Sequence, residues 1–164
     1  MNESKIFLIG DLHWGHRNII KYCNRPFSDV EHMNEQLIKN WNSVVSKNDI
    51  VYVVGDFALC AKSKIIEIGN QLNGRKRLIL GNHDGASIET YRAAGFEFVY
   101  NHSIVLDDFY IISHIPLPYI QPPFFNIHAH THEFSNSENH FCVSAENIKY
   151  TPLNFEEVKR AQKY

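Results

Sequence analysis

Three short runs of apolar, largely β-branched residues end alike, each with a glycine and then a polar side chain able to hold a metal ion. Ile6-Phe7-Leu8-Ile9 leads into Gly10-Asp11-Leu12-His13, Ile50-Val51-Tyr52-Val53-Val54 into Gly55-Asp56, and Leu78-Ile79-Leu80 into Gly81-Asn82-His83-Asp84. Continuous apolar runs of this length suit strands buried on both faces. Helical patterns separate them. Over residues 29–45, Met33, Leu37, Trp41 and Val44 recur every three or four positions and give one apolar face, and Ser28 with Glu31 spells a capping box at its start. A second helix is expected over residues 63–71 with Ile65, Ile66 and Ile68 inward. Strand, helix, strand, helix, strand is the alternation of an α/β sheet.

The second half reads differently. Residues 104–106, the pair Asp107-Asp108 and residues 109–113 predict a hairpin, with further strands near 125–127 and 141–144. Pro116, Pro118, Pro122 and Pro123 mark an irregular loop between them. A last helix over 155–162 is capped by Asn154, with Glu157 in the reciprocal position. The expectation is two packed sheets flanked by helices, and a length of 164 residues fits one domain over residues 1–164.

Ligands in open α/β sheets bind just beyond the carboxyl ends of the strands. Adjacent strand ends would therefore bring Asp11, His13, Asp56 and Asn82 around one point. Later, residues 109–113 end at His114, and His128-Ala129-His130-Thr131-His132 sets three histidines at alternate positions. Alternate residues of an extended segment share a face, so two or three of these imidazoles can converge. Carboxylates, an amide and imidazoles without sulfur suit manganese, with iron, zinc, cobalt or nickel as alternatives, better than a structural zinc site. Seven candidates are too many for one tetrahedral ion and fit two ions sharing a carboxylate, a recurring solution for displacement at phosphorus.

Bulk composition narrows the alternatives. A 44% apolar and 21% charged chain is that of a soluble globular protein. No apolar run reaches the ~20 residues that cross a bilayer, and Met1-Asn2-Glu3-Ser4-Lys5 does not open a secretion signal. Cys23, Cys60 and Cys142 form no C-x-x-C pair, so reduced thiols in the cytoplasm are expected. A net charge of −2 argues against a broad basic surface for duplex binding and leaves room for a local basic patch.

The blocks Asp11-Leu12-His13, Gly55-Asp56, Gly81-Asn82-His83-Asp84, His114 and Ala129-His130-Thr131-His132, in this order and spanning most of the chain, resemble the calcineurin-like metallophosphoesterases. The stretches Trp14-Gly15-His16-Arg17-Asn18-Ile19-Ile20 and Asn24-Arg25-Pro26-Phe27 look like a compact bacterial and phage branch of that superfamily. The resemblance implies a four-layer α/β/β/α sandwich of two mixed sheets and a binuclear metal centre. Asp11, His13 and His132 would hold one ion, Asn82, His114 and His130 the other, and Asp56 would bridge them. His83 would stabilise charge on the phosphate and protonate the leaving oxygen, with Asp84 orienting or charging its imidazole. Ala129 departs from the family, which usually has glycine there.

Several residues carry two readings. His16 and Arg17 follow the first ligand block and are candidates for substrate-phosphate contacts, against a plain helix start at the surface; Arg25 is a similar candidate. Trp14 and Tyr22 stack on a base or simply pack, and packing is the favoured reading. His128 would hold a ligand imidazole in place. His32, His102 and His140 read as structural or exposed, and Arg75-Lys76-Arg77 as a solvated turn entering a strand.

The expected activity is metal-dependent hydrolysis of a phosphodiester in a nucleotide, cyclic nucleotide or nucleic-acid end, through in-line attack by a metal-bridging water. The alternatives are a phosphomonoesterase, including one acting on phosphoprotein, and a non-catalytic metal-binding scaffold.

Overall fold

The computed structural model describes residues 3–132 and 136–162. The apolar runs become β1 (Ile6–Ile9), β2 (Ile50–Val54) and β3 (Arg75–Ile79), parallel neighbours in one sheet. Their side chains divide by alternation. Phe7, Ile9, Val51, Val53 and Leu78 enter a core shared with helices, while Leu8, Tyr52, Val54 and Ile79 enter a core shared with a second sheet. Both faces are thus apolar, which is why the runs are continuous.

Four helices pack in the first core: α1 (Arg17–Tyr22), α2 (Val30–Val44), α3 (Lys62–Gln71) and α4 (Ile88–Ala93). The long helix α2 buries Val30, Met33, Leu37 and Trp41. Full burial of each such side chain is worth about 1.5–3 kcal/mol. The Trp41 indole also donates to the Asn73 carbonyl at 2.9 Å. Two details differ from the sequence reading. The cap is Asp29, which accepts from the His32 amide at 2.8 Å, while the Ser28 hydroxyl donates to the Asp29 carboxylate. Val44 is exposed, and Val45, one step past the helix, is buried in its place. In α3, Ile65 and Ile68 are buried as expected, while Ile66 is half-buried and Gly69 completes the inner face.

Arg75-Lys76-Arg77 is not a solvated turn but the first half of β3. Lys76 is buried because its stem crosses apolar surface and its ammonium donates to the Leu72 carbonyl at 3.1 Å. Burial lowers its pKa. Neither α4 nor the strand β4 (Phe96–Tyr100), which extends the sheet beyond β3, is expected from the sequence. On the other edge the two-residue β9 (Leu153–Asn154) pairs antiparallel with β1, giving the order β4-β3-β2-β1-β9.

The hairpin forms as β5 (Ile104–Leu106) and β6 (Tyr110–Ile112). Asp107 and Asp108 both take positive φ, the hand that a tight turn between twisted strands needs. Next come β7 (Phe125–His128) and β8 (His140–Cys142), parallel to β6, in the order β5-β6-β7-β8. The helix α5 (Phe155–Ala161), capped by Asn154 through the Glu156 amide, inserts Phe155 and Val158 into the core between the sheets. The architecture is therefore a mixed α/β one, with two packed mixed sheets and helices. On the far face of the second sheet, Asn126 is covered by the proline-rich loop, accepting from the Leu117 amide at 2.9 Å.

The sheets are stitched together where the site lies. Gly10 donates to Val143 at 2.8 Å and accepts from Ala145 at 3.0 Å, which ties the end of β1 to the segment after β8. No helix among the described residues is long and apolar enough to cross a membrane.

Candidate metal centre

The ends of β1, β2, β3, β6 and β7 meet. Two groups of donor atoms form there, each with all its atoms within 4.8 Å of one another: Asp11, His13 and His132, and Asp56, His114 and His130. Asn82 joins the second, its Oδ1 lying 3.0 Å from both His114 Nε2 and His130 Nδ1. Asp56 Oδ2 lies between the groups, 3.5 Å from His13 Nε2 and 3.4 Å from His114 Nε2. All seven residues that the sequence nominated as ligands are thus brought together.

The backbone is bent to achieve this. Asp11, His13, Asp56, His130 and His132 all lie at positive φ, between 52° and 70°. Non-glycine residues rarely adopt this region, and clusters of such residues mark sites where function fixes the backbone. Glycine is needed beside them for space. A Cβ on Gly55 would collide with the His114 ring, and one on Gly81 with the Asp56 carboxylate. Ala129, in contrast, is absent from the positive-φ residues, and its methyl group packs over Gly10. An ordinary backbone angle there accommodates the alanine.

Four of these ligands are each oriented by a further hydrogen bond. His114 Nδ1 donates to the Val54 carbonyl at 3.0 Å, and His132 Nδ1 to Glu146 Oε1 at 3.2 Å. Because these oxygens only accept, each ring keeps its proton on Nδ1 and offers Nε2 as a lone pair. Asp11 Oδ2 accepts from the His130 amide at 2.8 Å and from the Ser144 hydroxyl, leaving Oδ1 free. Asp56 Oδ1 accepts from the His83 amide at 2.8 Å, leaving Oδ2.

What remains is a set of buried atoms in need of a cation. Asp11 Oδ1 and both ring nitrogens of His13 have no hydrogen-bond partner. In the tautomer set by Val54, His114 Nε2 and Asn82 Oδ1 are two acceptors only 3.0 Å apart. Oxygen and imidazole donors of this kind fit a pair of divalent ions. The acid–base balance agrees. Burial raises the Asp11 pKa and lowers that of His13 to about 3, since neither charge is solvated. Burial also opposes ionisation of Asp56, but its bonds to His114 and the His83 amide outweigh this and hold it at about 2. Burial would lower His114 as well; its contact with Asp56 and the Val54 carbonyl raise it instead, so that a proton and a cation compete for the Nε2 lone pair.

Glu146 and Ser144 had no signal in the sequence. Glu146 holds His132 and pairs with the buried Arg25 at 2.7 Å. Arg25 also donates to the carbonyls of Asp11 and Leu12. It is therefore an internal clamp and not a contact for substrate phosphate. Cys23, His132 and Glu146 form a third cluster of possible donors, but Arg25 already neutralises Glu146, and burial raises the Cys23 thiol to about 11.

The remaining candidates divide. His83 is exposed at the mouth, its ring 5.3 Å from that of His13. Asp84 does not pair with it. The Asp84 carboxylate accepts from the amides of Asp56, Phe57 and Gly81 and from the Tyr91 hydroxyl, which fixes two strand ends relative to each other. His16 is half-exposed, with its ring 5.5 Å from His13 and 6.5 Å from His83. Arg17 is exposed at the start of α1. His128 holds no ligand imidazole; it bonds the Ala129 carbonyl and packs on His140. His140, read as structural or exposed, is half-buried and bonded to the Leu117 carbonyl at 2.8 Å. Trp14 is fully buried, whereas Tyr22 is 74% exposed.

Residues 4–159 match the family model of the calcineurin-like phosphoesterases. The chain belongs to that family. This calcineurin-like phosphoesterase is 49% identical over 107 residues to an uncharacterized protein of Methanocaldococcus jannaschii, across 63% of this chain and 61% of that one. It is 42% identical over 85 residues to the Gene 66 protein of Mycobacterium phage L5, across 50% of this chain and 41% of that one. The matched region is thus less than two thirds of either relative. Among solved structures, a protein of unknown function from Aquifex aeolicus shares its fold over 97% of this chain and 100% of that one, with a TM-score of 0.72 at 22% identity. A nuclease of Pseudomonas putida does so over 76% of this chain and 60% of that one, with a TM-score of 0.53 at 19% identity.

Proposed function

We propose that this calcineurin-like phosphoesterase is a two-metal hydrolase of nucleotide-type phosphodiesters, with manganese as the first choice of metal. The observation that carries the reading is the pair of donor groups with Asp56 Oδ2 within 3.5 Å of a nitrogen of each, in which Asp11 Oδ1 and both His13 nitrogens lack a hydrogen-bond partner. Asp11, His13 and His132 would hold one ion, Asn82, His114 and His130 the other, and Asp56 both. Ions held there would lower the pKa of a bound water and neutralise phosphate oxygens. The protein's own part is positioning and proton transfer. Ser144, Glu146 and the Val54 carbonyl keep the ligand atoms aimed at one point. His83, anchored through its amide to Asp56, stands at the rim to stabilise the charged phosphate and protonate the departing oxygen. Asp84 supports this indirectly, by holding the backbone of Asp56 and Gly81. His16, facing His13 and His83, is placed to touch the same phosphate.

A diester is favoured over a monoester by the open mouth. Asn82, His83 and His130 are all exposed, leaving space for a group on either side of the phosphorus. The fold shared with a nuclease supports the same class. The three free cysteines agree with a reducing cytoplasm as its compartment. With added manganese, kcat/KM for bis-p-nitrophenyl phosphate should exceed that for p-nitrophenyl phosphate by about tenfold or more, or ~1.4 kcal/mol of barrier. The reverse preference would make it a phosphomonoesterase, and metal binding with no turnover of either ester would make it a scaffold.

A further inference from the structure

The short helix α1 follows the first ligand block directly. Ile19 faces the core and Ile20 is half-buried, while Arg17, Asn18, Lys21 and Tyr22 are exposed. The helix, Arg-Asn-Ile-Ile-Lys-Tyr, has two cations and no acid, in a chain whose net charge is −2. Its last residue, Tyr22, leaves 74% of its surface in solvent.

That tyrosine is close to the metal centre. Its ring meets the His16 ring edge-on at 6.2 Å, and His16 in turn lies 5.5 Å from His13 and 6.5 Å from His83. His16 Nδ1 is buried and has no hydrogen-bond partner. Beside this row, Tyr22, Cys23, Thr131, His132 and Glu146 line a cavity of about 420 Å³. A cavity of that size can enclose a ring system of ordinary ligand dimensions. It adjoins His132, so a group resting there would be a neighbour of a phosphate held at the ions.

Resting on the phosphodiesterase reading of the metal centre, we propose that α1 is the docking element for a single-stranded nucleic acid. Tyr22 stacks on a base next to the scissile phosphate, and Arg17 and Lys21 neutralise flanking phosphates. An exposed aromatic beside a small cluster of cations is the combination that holds single strands without reading sequence. Stacking needs an open base face, which a duplex keeps inside its own stack. A local patch of two cations also matches a chain whose net charge of −2 argues against duplex binding over a broad surface.

The test measures binding by fluorescence anisotropy of a labelled single-stranded oligodeoxynucleotide, with manganese present and in the His83→Ala background so that the strand stays intact. Tyr22→Ala should weaken binding by about 5- to 150-fold, the cost of one lost stacking partner, and Tyr22→Phe should bind as tightly as the parent. A strand with abasic sites should bind the parent as weakly as the intact strand binds Tyr22→Ala. Lys21→Ala should lower the slope of log affinity against log salt by about one. A duplex of the same sequence should bind more weakly than the strand. Equal binding by the parent and Tyr22→Ala, or tighter binding of the duplex, would overturn the proposal. Hydrolysis of bis-p-nitrophenyl phosphate by the unsubstituted protein reports separately on the phosphodiesterase reading, because that assay involves no strand.

Discussion

Asp56→Ala is expected to strip both ions from the protein and reduce phosphoester hydrolysis to background. Asp56 Oδ2 lies within 3.5 Å of a ligand nitrogen in each donor group. Its loss removes the shared negative charge, and Asp11, the one ligand carboxylate left, cannot by itself balance two dications. The fall in turnover should exceed the about 10²–10³-fold cost of removing a single preorganised donor from an active site. Elemental analysis after gel filtration checks the metal content. Asp56 sits at a φ of 53°, and alanine in the left-handed region costs about 1–2 kcal/mol. Thermal unfolding in a chelator therefore establishes that the variant is folded. Retention of one full equivalent of metal would show that the two ions do not depend on a common carboxylate.

His83→Ala should separate metal binding from chemistry. The bond that anchors this residue to Asp56 comes from its backbone amide, which alanine keeps. The imidazole is exposed and meets the ligand His13 only edge-on, at 5.3 Å between ring centres. Metal content should stay at the parental level while kcat falls by about 10²–10⁴-fold, the usual contribution of a positioned acid–base group. The loss should be smaller for p-nitrophenyl esters, whose leaving oxygen needs little protonation, than for an alkyl or nucleoside leaving group. Unchanged kcat on both kinds of ester would remove His83 from the reaction.

The parts of this protein that were legible in its sequence are those set by local chemistry. Buried parallel strands must be apolar on both faces, and a strand that ends in glycine followed by a donor announces its turn; hence β1, β2 and the ligand residues at their ends. The Asp107-Asp108 turn announces its hairpin in the same way. The edge strand β4 carries Glu97 and the half-exposed Phe98 and lacks that continuous apolar pattern. The six-residue α4 is too short for a helical period to emerge. Lys76 misled because a long stem can bury a cation provided its tip finds a carbonyl.

Within the site, the gap follows the same line. The donors themselves have recognisable types and spacings, but the residues that aim them do not. Ser144 reaches Asp11 across 133 positions and Arg25 reaches Glu146 across 121. Asp84 lies next to His83 in sequence, and so invited a pairing that the fold does not make. The turn at residues 81–84 directs its carboxylate toward three backbone amides, which a buried carboxylate needs more than it needs one imidazole.

The most direct measurement is anomalous diffraction from crystals grown with manganese. Two peaks about 3.5–4 Å apart, one flanked by Asp11, His13 and His132, the other by Asn82, His114 and His130, with Asp56 between them, are the expected result. A single peak, or two peaks that leave Asp56 unligated, would contradict the shared binuclear centre on which the proposed hydrolysis depends.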